Sequence, residues 1–332
     1  MHAWLCTNPT GVEALAWTEL PTPTPKAGEV LIEIKAASLN FPDLLIVQNK
    51  YQMKPPLPFV PGSEYAGTVA ALGEGVTHLQ VGQPVACLSG TGGFGSHAIA
   101  PAALCMPLPP GFPFVDAAAF AMIYATSHHA LVDRAQLKAG ETVLVLGAAG
   151  GVGLAAVELG KAMGANVIAA ASSQEKVDLC LSRGAASGVV YPKGPFDREG
   201  QKALGALFKD ATGPNGADVI YDAIGDAYAE PALRSIAWEG KYLVVGFAAG
   251  EIPKIPLNLA LLKGCESVGV FWGAWVGKNP QKHQESVAEL RQMYTDGKIK
   301  PHVSERFTLA DASQAIAHLA SRKAMGKVVV TV

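Results

Sequence analysis

With 332 residues, 49% of them hydrophobic and 16% charged, the chain reads as a compact globule too long for one core, so two domains are expected. A formal net charge of −2 gives no reason to expect a nucleic-acid partner, since binding a phosphate backbone needs a basic field. No apolar run approaches the roughly 18 residues of a membrane helix, and the start, MHAWLC, has no basic leader segment, so the default is a cytoplasmic protein. Five cysteines (Cys6, Cys87, Cys105, Cys180 and Cys265) are scattered, odd in number and without a CxxC pair. Neither a disulfide framework nor a structural zinc is expected from them.

In chain order, the first third has the grammar of strands. EVLIEIKAAS alternates Ile32 and Ile34 against Glu33 and Lys35, the period of a half-buried strand. Stretches such as KPPLPFVPG and SGTGGFG break the rest into short segments, as in a small barrel with long loops. From about Tyr124 continuous apolar strands alternate with helices. The strands are predicted at 143–146, 167–171, 189–191, 219–221, 243–245 and 267–271, with helices such as 174–183 and 231–237 between them. That alternation predicts an α/β domain with a doubly wound parallel sheet. An amphipathic helix then carries Val287, Leu290 and Tyr294. Thr308 and Asp311 follow at capping-box spacing ahead of Ala315, Ile316 and Leu319, and KVVVTV ends the chain as a strand. The expected division is a nucleotide domain over 123–259 and a β domain from 1–122 together with 260–332.

The stretch VLVLGAAGGVGLAAVELGKAMGANVIAAASSQEK, 143–176, runs strand, glycine turn, helix and strand. Gly147 allows the sharp turn, Gly150 the approach of a pyrophosphate, and Gly153 close packing of helix on strand. The amides opening the helix at Gly151 and Val152 suit phosphate oxygens. NAD sites carry an acidic residue about 20 residues on, which accepts from the ribose 2′-hydroxyl. No carboxylate stands at Ala170 or Ala171. Ser172, Ser173 and Lys176 come next, two hydroxyl donors and an ammonium suited to a 2′-phosphate, so NADPH is expected rather than NADH.

The whole chain resembles the zinc-independent quinone oxidoreductase family of the medium-chain dehydrogenase/reductase superfamily, which includes zeta-crystallin. The residues that carry the resemblance are AASLNFPDLL (36–45), PFVPGSEYAGTV (58–69), the glycine turn, YDAIGD (221–226), LVVGFAAGEIPKIPLNLALLK (243–263) and GKVVVTV (326–332). It implies a GroES-like β-barrel catalytic domain plus a Rossmann domain, and a homodimer paired through the 267–271 strand. Zinc-dependent relatives carry Cys where this chain has Asn40 and His-Glu where it has Ser63-Glu64, so no metal is expected. The resemblance places Asn40 beside the nicotinamide, Tyr51 in a loop over the active site and Thr126 near the carboxamide. It further assigns Tyr191 to the adenosine phosphate, Gly246, Phe247 and Ala248 to the nicotinamide ribose, Phe271, Trp272 and Gly273 to the nicotinamide, and Lys327 to the cofactor.

Three activities remain open on the sequence. One is NADPH-dependent reduction of quinones. The second is reduction of an activated C=C bond in an alkenal, enone or enoyl thioester, with Tyr51 as candidate proton donor. The third is NADPH binding without catalysis. The partner is expected to be a small conjugated molecule, with no nucleic acid and no membrane.

Overall fold

Fifteen strands form, seven of them early in the chain: β1 (His2–Cys6), β2 (Leu15–Glu19), β3 (Glu29–Ser38), β4 (Glu64–Leu72), β5 (Pro84–Leu88), β6 (His97–Pro101) and β7 (Cys105–Pro107). β8 (Thr142–Leu146), β9 (Asn166–Ala171), β10 (Ser187–Val190), β11 (Ala217–Asp222), β12 (Ile236–Val244) and β13 (Glu266–Gly269) follow, and β14 (Val303–Thr308) and β15 (Lys327–Thr331) close the chain. This computed structural model describes residues 1–332. It divides into one unit of Met1–Met122 with Pro301–Val332 and a second of Ile123–Lys300.

In the first unit a seven-stranded sheet runs β14-β15-β3-β4-β5-β7, with β6 paired to β3. The alternation in β3 decides which face turns inward. Ile32 and Ile34 are buried with Val69, Val85, Val328 and Val330, while Glu33 and Lys35 are half-buried. Each such aliphatic side chain contributes about 1.5–3 kcal/mol when fully buried. The return of β15 against β3 pairs Val329 with Ser38, which brings GKVVVTV to the loop that begins at Leu39.

In the second unit six parallel strands take the order β10-β9-β8-β11-β12-β13. Counted from β8, this is 3-2-1-4-5-6, the dinucleotide-binding order, whose reversal opens a crevice at the carboxyl ends of β8 and β11. Strands so flanked are apolar along their length, as Val143, Leu144, Val145 and Leu146 are, all fully buried.

Two expectations are corrected. Residues 260–300 belong with the parallel sheet rather than the barrel, because β13 pairs with β12 from Lys241↔Glu266 to Val244↔Gly269. The helix predicted at 231–237 is only Ala229–Leu233, and Ile236 already pairs with Ala217. Tertiary pairing there overrides a local apolar pattern that fits either element. At Thr308 the hydroxyl donates to Asp311 Oδ2 at 2.7 Å, but a 3₁₀ turn over Leu309–Asp311 precedes the helix Ala312–Ala320. No helix is long and apolar enough to cross a membrane.

Candidate functional site

Two constellations emerge, one in each unit. In the parallel-sheet unit, β8 ends in Gly147, whose φ of 67° favours glycine. A Cβ there would lie 2.5 Å from Ile224 Cγ2, and one on Gly153 would lie 2.3 Å from the Gly147 carbonyl oxygen. Helix and strand therefore meet at backbone contact. Gly150 caps the helix Gly151–Ala162 in extended conformation. The opening amides of Gly151, Val152 and Gly153 have no partner within the helix and carry its positive end. The helix Ala121–His128 carries Thr126 and is tied to this turn, since Ser127 donates from its hydroxyl to the Val152 carbonyl at 2.8 Å.

YDAIGD is explained by Asp222. Its Oδ1 accepts from the amides of Ile224 (2.9 Å) and Gly225 (2.8 Å), and its Oδ2 accepts from the Tyr242 hydroxyl. This buried carboxylate shapes the turn that lays Ile224 over Gly147. The next loop is stitched to it: Gly246 N–H donates to the Asp222 carbonyl at 3.2 Å and Ala248 N–H to the Ala223 carbonyl at 3.2 Å. The Gly246-Phe247-Ala248 segment therefore lies along the carboxyl ends of β11 and β12. Tyr191 follows β10, donates from its amide to the Ala171 carbonyl at 2.9 Å, and is buried. Burial raises the Tyr191 hydroxyl pKa, against a bond from the Gly147 amide. Tyr191 thus braces the glycine turn. After β13, Phe271 is half-exposed at 56%, Trp272 is buried edge-on to His283 at 5.5 Å, and Gly273 lies inside the helix Trp272–Lys278.

At the end of β9, Ala170 and Ala171 are buried and no carboxylate follows before Glu175. Ser173 caps the helix Gln174–Ser182, its Oγ accepting from the Lys176 amide at 3.4 Å, which leaves its O–H to donate elsewhere. The Lys176 ammonium pKa is lowered first by partial burial and then by the charge of Lys193. Lys193 is a neighbour that the sequence reading missed. Its loop is pinned by Tyr228, whose hydroxyl donates to the Pro192 carbonyl at 3.3 Å and accepts from the Gly194 amide at 3.3 Å. Position two residues after Tyr191 was its only signal, because loop residues carry no period.

In the barrel unit the residues expected at the site form a sealed polar cluster. Glu64 is 1% exposed and both its oxygens are engaged. Oε1 accepts from the Met122 amide at 2.8 Å; Oε2 accepts from the Ser38 hydroxyl at 2.9 Å and Asn40 Nδ2 at 3.1 Å, with Lys327 Nζ at 3.5 Å. Lys327, 2% exposed, also donates to Asn40 Oδ1 at 2.7 Å and the Leu39 carbonyl at 3.0 Å. Its three protons meet three protein acceptors. Resemblance assigns Lys327 to the cofactor; within the protein it is the buried counter-ion of Glu64. Burial lowers the Lys327 pKa, opposed by the charges of Glu64 and Asp43.

Asp43 Oδ2 accepts from the Asn40 amide at 2.8 Å, and Oδ1 accepts from both the amide (2.9 Å) and the hydroxyl of Ser63. Burial pushes the Asp43 carboxyl up to about 6 against these donors. Asp43 locks the loop before the helix Phe41–Val47 onto the start of β4. Tyr51 packs partly buried against the barrel core, its phenol pKa raised by burial and then by the Asp43 charge.

This donor set does not fit zinc. Zinc takes thiolate, imidazole and carboxylate ligands, whereas here the Asn40 amide, the Ser38 hydroxyl and the Lys327 ammonium surround the Glu64 carboxylate, and the Ser63 hydroxyl is committed to Asp43. No three His, Cys, Asp or Glu side chains converge anywhere as a metal site. His128 and His129 face Glu289 (3.1 Å) and Asp133 (2.7 Å) instead.

The chain matches the family models described as "Alcohol dehydrogenase GroES-like domain" over residues 26–110 and "Zinc-binding dehydrogenase" over 151–292. It is 37% identical to the quinone oxidoreductase-like protein 2 homolog of Nematostella vectensis, over 99% of this chain and 88% of that protein. It is 36% identical to quinone oxidoreductase-like protein 2 of Bos taurus, over 93% and 87%. Among solved structures, it is similar to a mycobacterial protein complexed with NADPH, at 30% identity and a TM-score of 0.91 over the full length of both chains. It is also similar to the Escherichia coli quinone oxidoreductase complexed with NADPH, at 27% identity and a TM-score of 0.89, again over the full length of both. With the GroES-like and parallel-sheet units, these matches show that the chain belongs to the zinc-independent quinone oxidoreductase family of the medium-chain dehydrogenase/reductase superfamily.

Proposed function

We propose that this oxidoreductase reduces quinones with NADPH and without a metal ion. One observation carries the choice of cofactor: the carboxylate-free end of β9, with Ser172, Ser173 and Lys176 beside Lys193. Gly147, Gly150, Gly151, Val152 and Gly153 would hold the pyrophosphate. Ser172, Ser173, Lys176 and Lys193 would hold the 2′-phosphate. Tyr191 would support the adenosine end, and Gly246, Phe247, Ala248 and Thr126 the nicotinamide end, with Phe271, Trp272 and Gly273 beyond them. When bound, the cofactor supplies the hydride.

Asn40 is the candidate for steering a substrate oxygen. One Nδ2 proton goes to Glu64 while Oδ1 accepts from the Lys327 ammonium. That charge polarises the amide and strengthens its remaining N–H as a donor. A fixed dipole among buried partners would then do the work that a metal does in zinc-dependent relatives.

The test is oxidation of NADPH and NADH with a quinone and a 2-alkenal at matched concentrations. Clear preference for NADPH and turnover of the quinone are expected; equal rates with NADH would overturn the cofactor assignment. Lys176→Ala should lower the NADPH-to-NADH ratio of kcat/KM about tenfold or more, the worth of a charge-assisted hydrogen bond. Lys193→Ala, on an exposed loop, should lower it about twofold to fivefold. Tyr51→Phe should leave quinone reduction within about twofold, since the oxygens of a reduced quinone can take their protons from water without a placed acid. Loss of alkenal turnover alone in this variant would favour C=C reduction, which needs an acid near the α-carbon.

Pairing with a second copy through β13 belongs to the same proposal. β13 is the outer strand of its sheet, and Trp238, Leu257, Leu261, Leu262 and Phe271 in this unit are large apolar residues more than half exposed. An open edge beside uncovered apolar side chains invites a partner. Sedimentation of the wild type should show a dimer that Leu261→Glu with Leu262→Glu converts to monomer.

A further inference from the structure

Cys87 on β5 lies directly opposite Cys105 on β7. The ladder type follows from one bond: Leu108 N–H donates to the Pro84 carbonyl at 2.9 Å, which makes 84/108 a hydrogen-bonded pair. Pair types alternate along an antiparallel ladder, so Ala86/Met106 is hydrogen-bonded and Cys87/Cys105 is not. Non-hydrogen-bonded partners bring their Cα atoms to about 4.5 Å, inside the roughly 4.4–6.8 Å span that a disulfide bridges. Both side chains are buried in the same core cluster, so they leave the sheet on one face. We propose that Cys87 and Cys105 are a redox-active dithiol that closes to a disulfide when the protein meets hydrogen peroxide.

The surroundings favour Cys87 as the attacking sulfur. Its thiol pKa is pulled down by the neighbouring Cys105 thiol, with smaller help from Tyr65 and Ser89 and against the effect of burial. Tyr65 pairs with Cys87 from β4, and its hydroxyl accepts from Ser89 at 3.0 Å. Cys6, Cys180 and Cys265 all have pKa values raised by burial, which disfavours the reactive thiolate. Access comes from β7, a strand of three residues at the edge of its sheet, the kind of segment that opens locally at low cost.

The Cys87 thiolate attacks one peroxide oxygen, the O–O bond breaks, and hydroxide departs and takes a proton. The Cys105 sulfur then attacks the sulfenic sulfur of Cys87, the S–O bond breaks, and water leaves with the Cys105 proton. Two thiols lose two electrons and peroxide becomes two waters. The bridge would staple β7 to β5. The latter runs on to Ser89 and Gly90, whose amides donate to the Ser63 carbonyl at 3.1 and 3.3 Å.

The test exposes the reduced full-length protein to hydrogen peroxide in native buffer, alkylates remaining thiols and maps the peptides. The expected result is loss of two of the five thiols and a linked Cys87–Cys105 peptide that a dithiol reductant separates. Cys105→Ala should abolish the link and leave a sulfenic acid on Cys87 that a 1,3-dione labels. Survival of all five thiols, or oxidation confined to Cys6, Cys180 or Cys265, overturns the proposal. Should Cys105→Ala not fold, the wild-type peptide map decides alone.

Discussion

Replacing Lys327 by Met is expected to cost about 3–5 kcal/mol of folding stability, because it strands the Glu64 carboxylate in a dry interior. Glu64 would keep its bonds from Ser38, Asn40 and the Met122 amide, but no cation would balance its charge. A second substitution separates charge from packing. Lys327→Met with Glu64→Gln should recover more than half of the loss, since the paired charges are removed together and the amide still bonds its neighbours. Urea unfolding of the wild type and both variants reads this directly. A single variant within about 1 kcal/mol of wild type, against that 3–5 kcal/mol expectation, would mean that the pair is not a structural element.

Asn40→Ala should lower kcat for quinone reduction about 10²-fold, the usual cost of removing one preorganised donor from a site where negative charge develops. The same variant should leave the dissociation constant for NADPH within about twofold, because the 2′-phosphate and pyrophosphate contacts proposed above lie on other residues. Some stability will also be lost, since Lys327 and Glu64 each give up a partner. Circular dichroism at the assay temperature therefore checks that the protein stays folded. A kcat within about threefold of wild type, against the 10²-fold loss expected of such a donor, would remove Asn40 from the chemistry and leave it a capping residue for the helix Phe41–Val47.

Much of the cofactor half was legible along the chain because its parts are contiguous. Gly147, Gly150 and Gly153 lie within one turn, and the strand that should end in an acid ends instead in Ala171 and Ser172 within the next 25 residues. Local rules of conformation and charge suffice for such a segment. The barrel cluster was legible only in its members. Asn40 and Ser63 were visible as replacements for metal ligands beside a retained Glu64, but the bond that Asn40 receives from Lys327, 287 residues away, was not. The partners of Lys327 are set by β15 folding back beside β3, a pairing that no local period records. The misplaced boundary at 260 has a related cause: β13 is only four residues long, and its allegiance is decided by its ladder to β12.

Sequence alone determined the candidates for both sites: which glycines free the backbone, which positions lack a carboxylate, and which residues stand where zinc-dependent relatives carry ligands. Tertiary structure decided the pairings. It joined Lys327 to Glu64, Tyr191 to the Gly147 turn, Lys193 to Lys176 and Cys87 to Cys105. The physical reason is range. Backbone preference and side-chain charge act within a few residues and can be read along the chain, whereas burial makes an ammonium or a thiol respond to whichever group long-range strand pairing sets beside it.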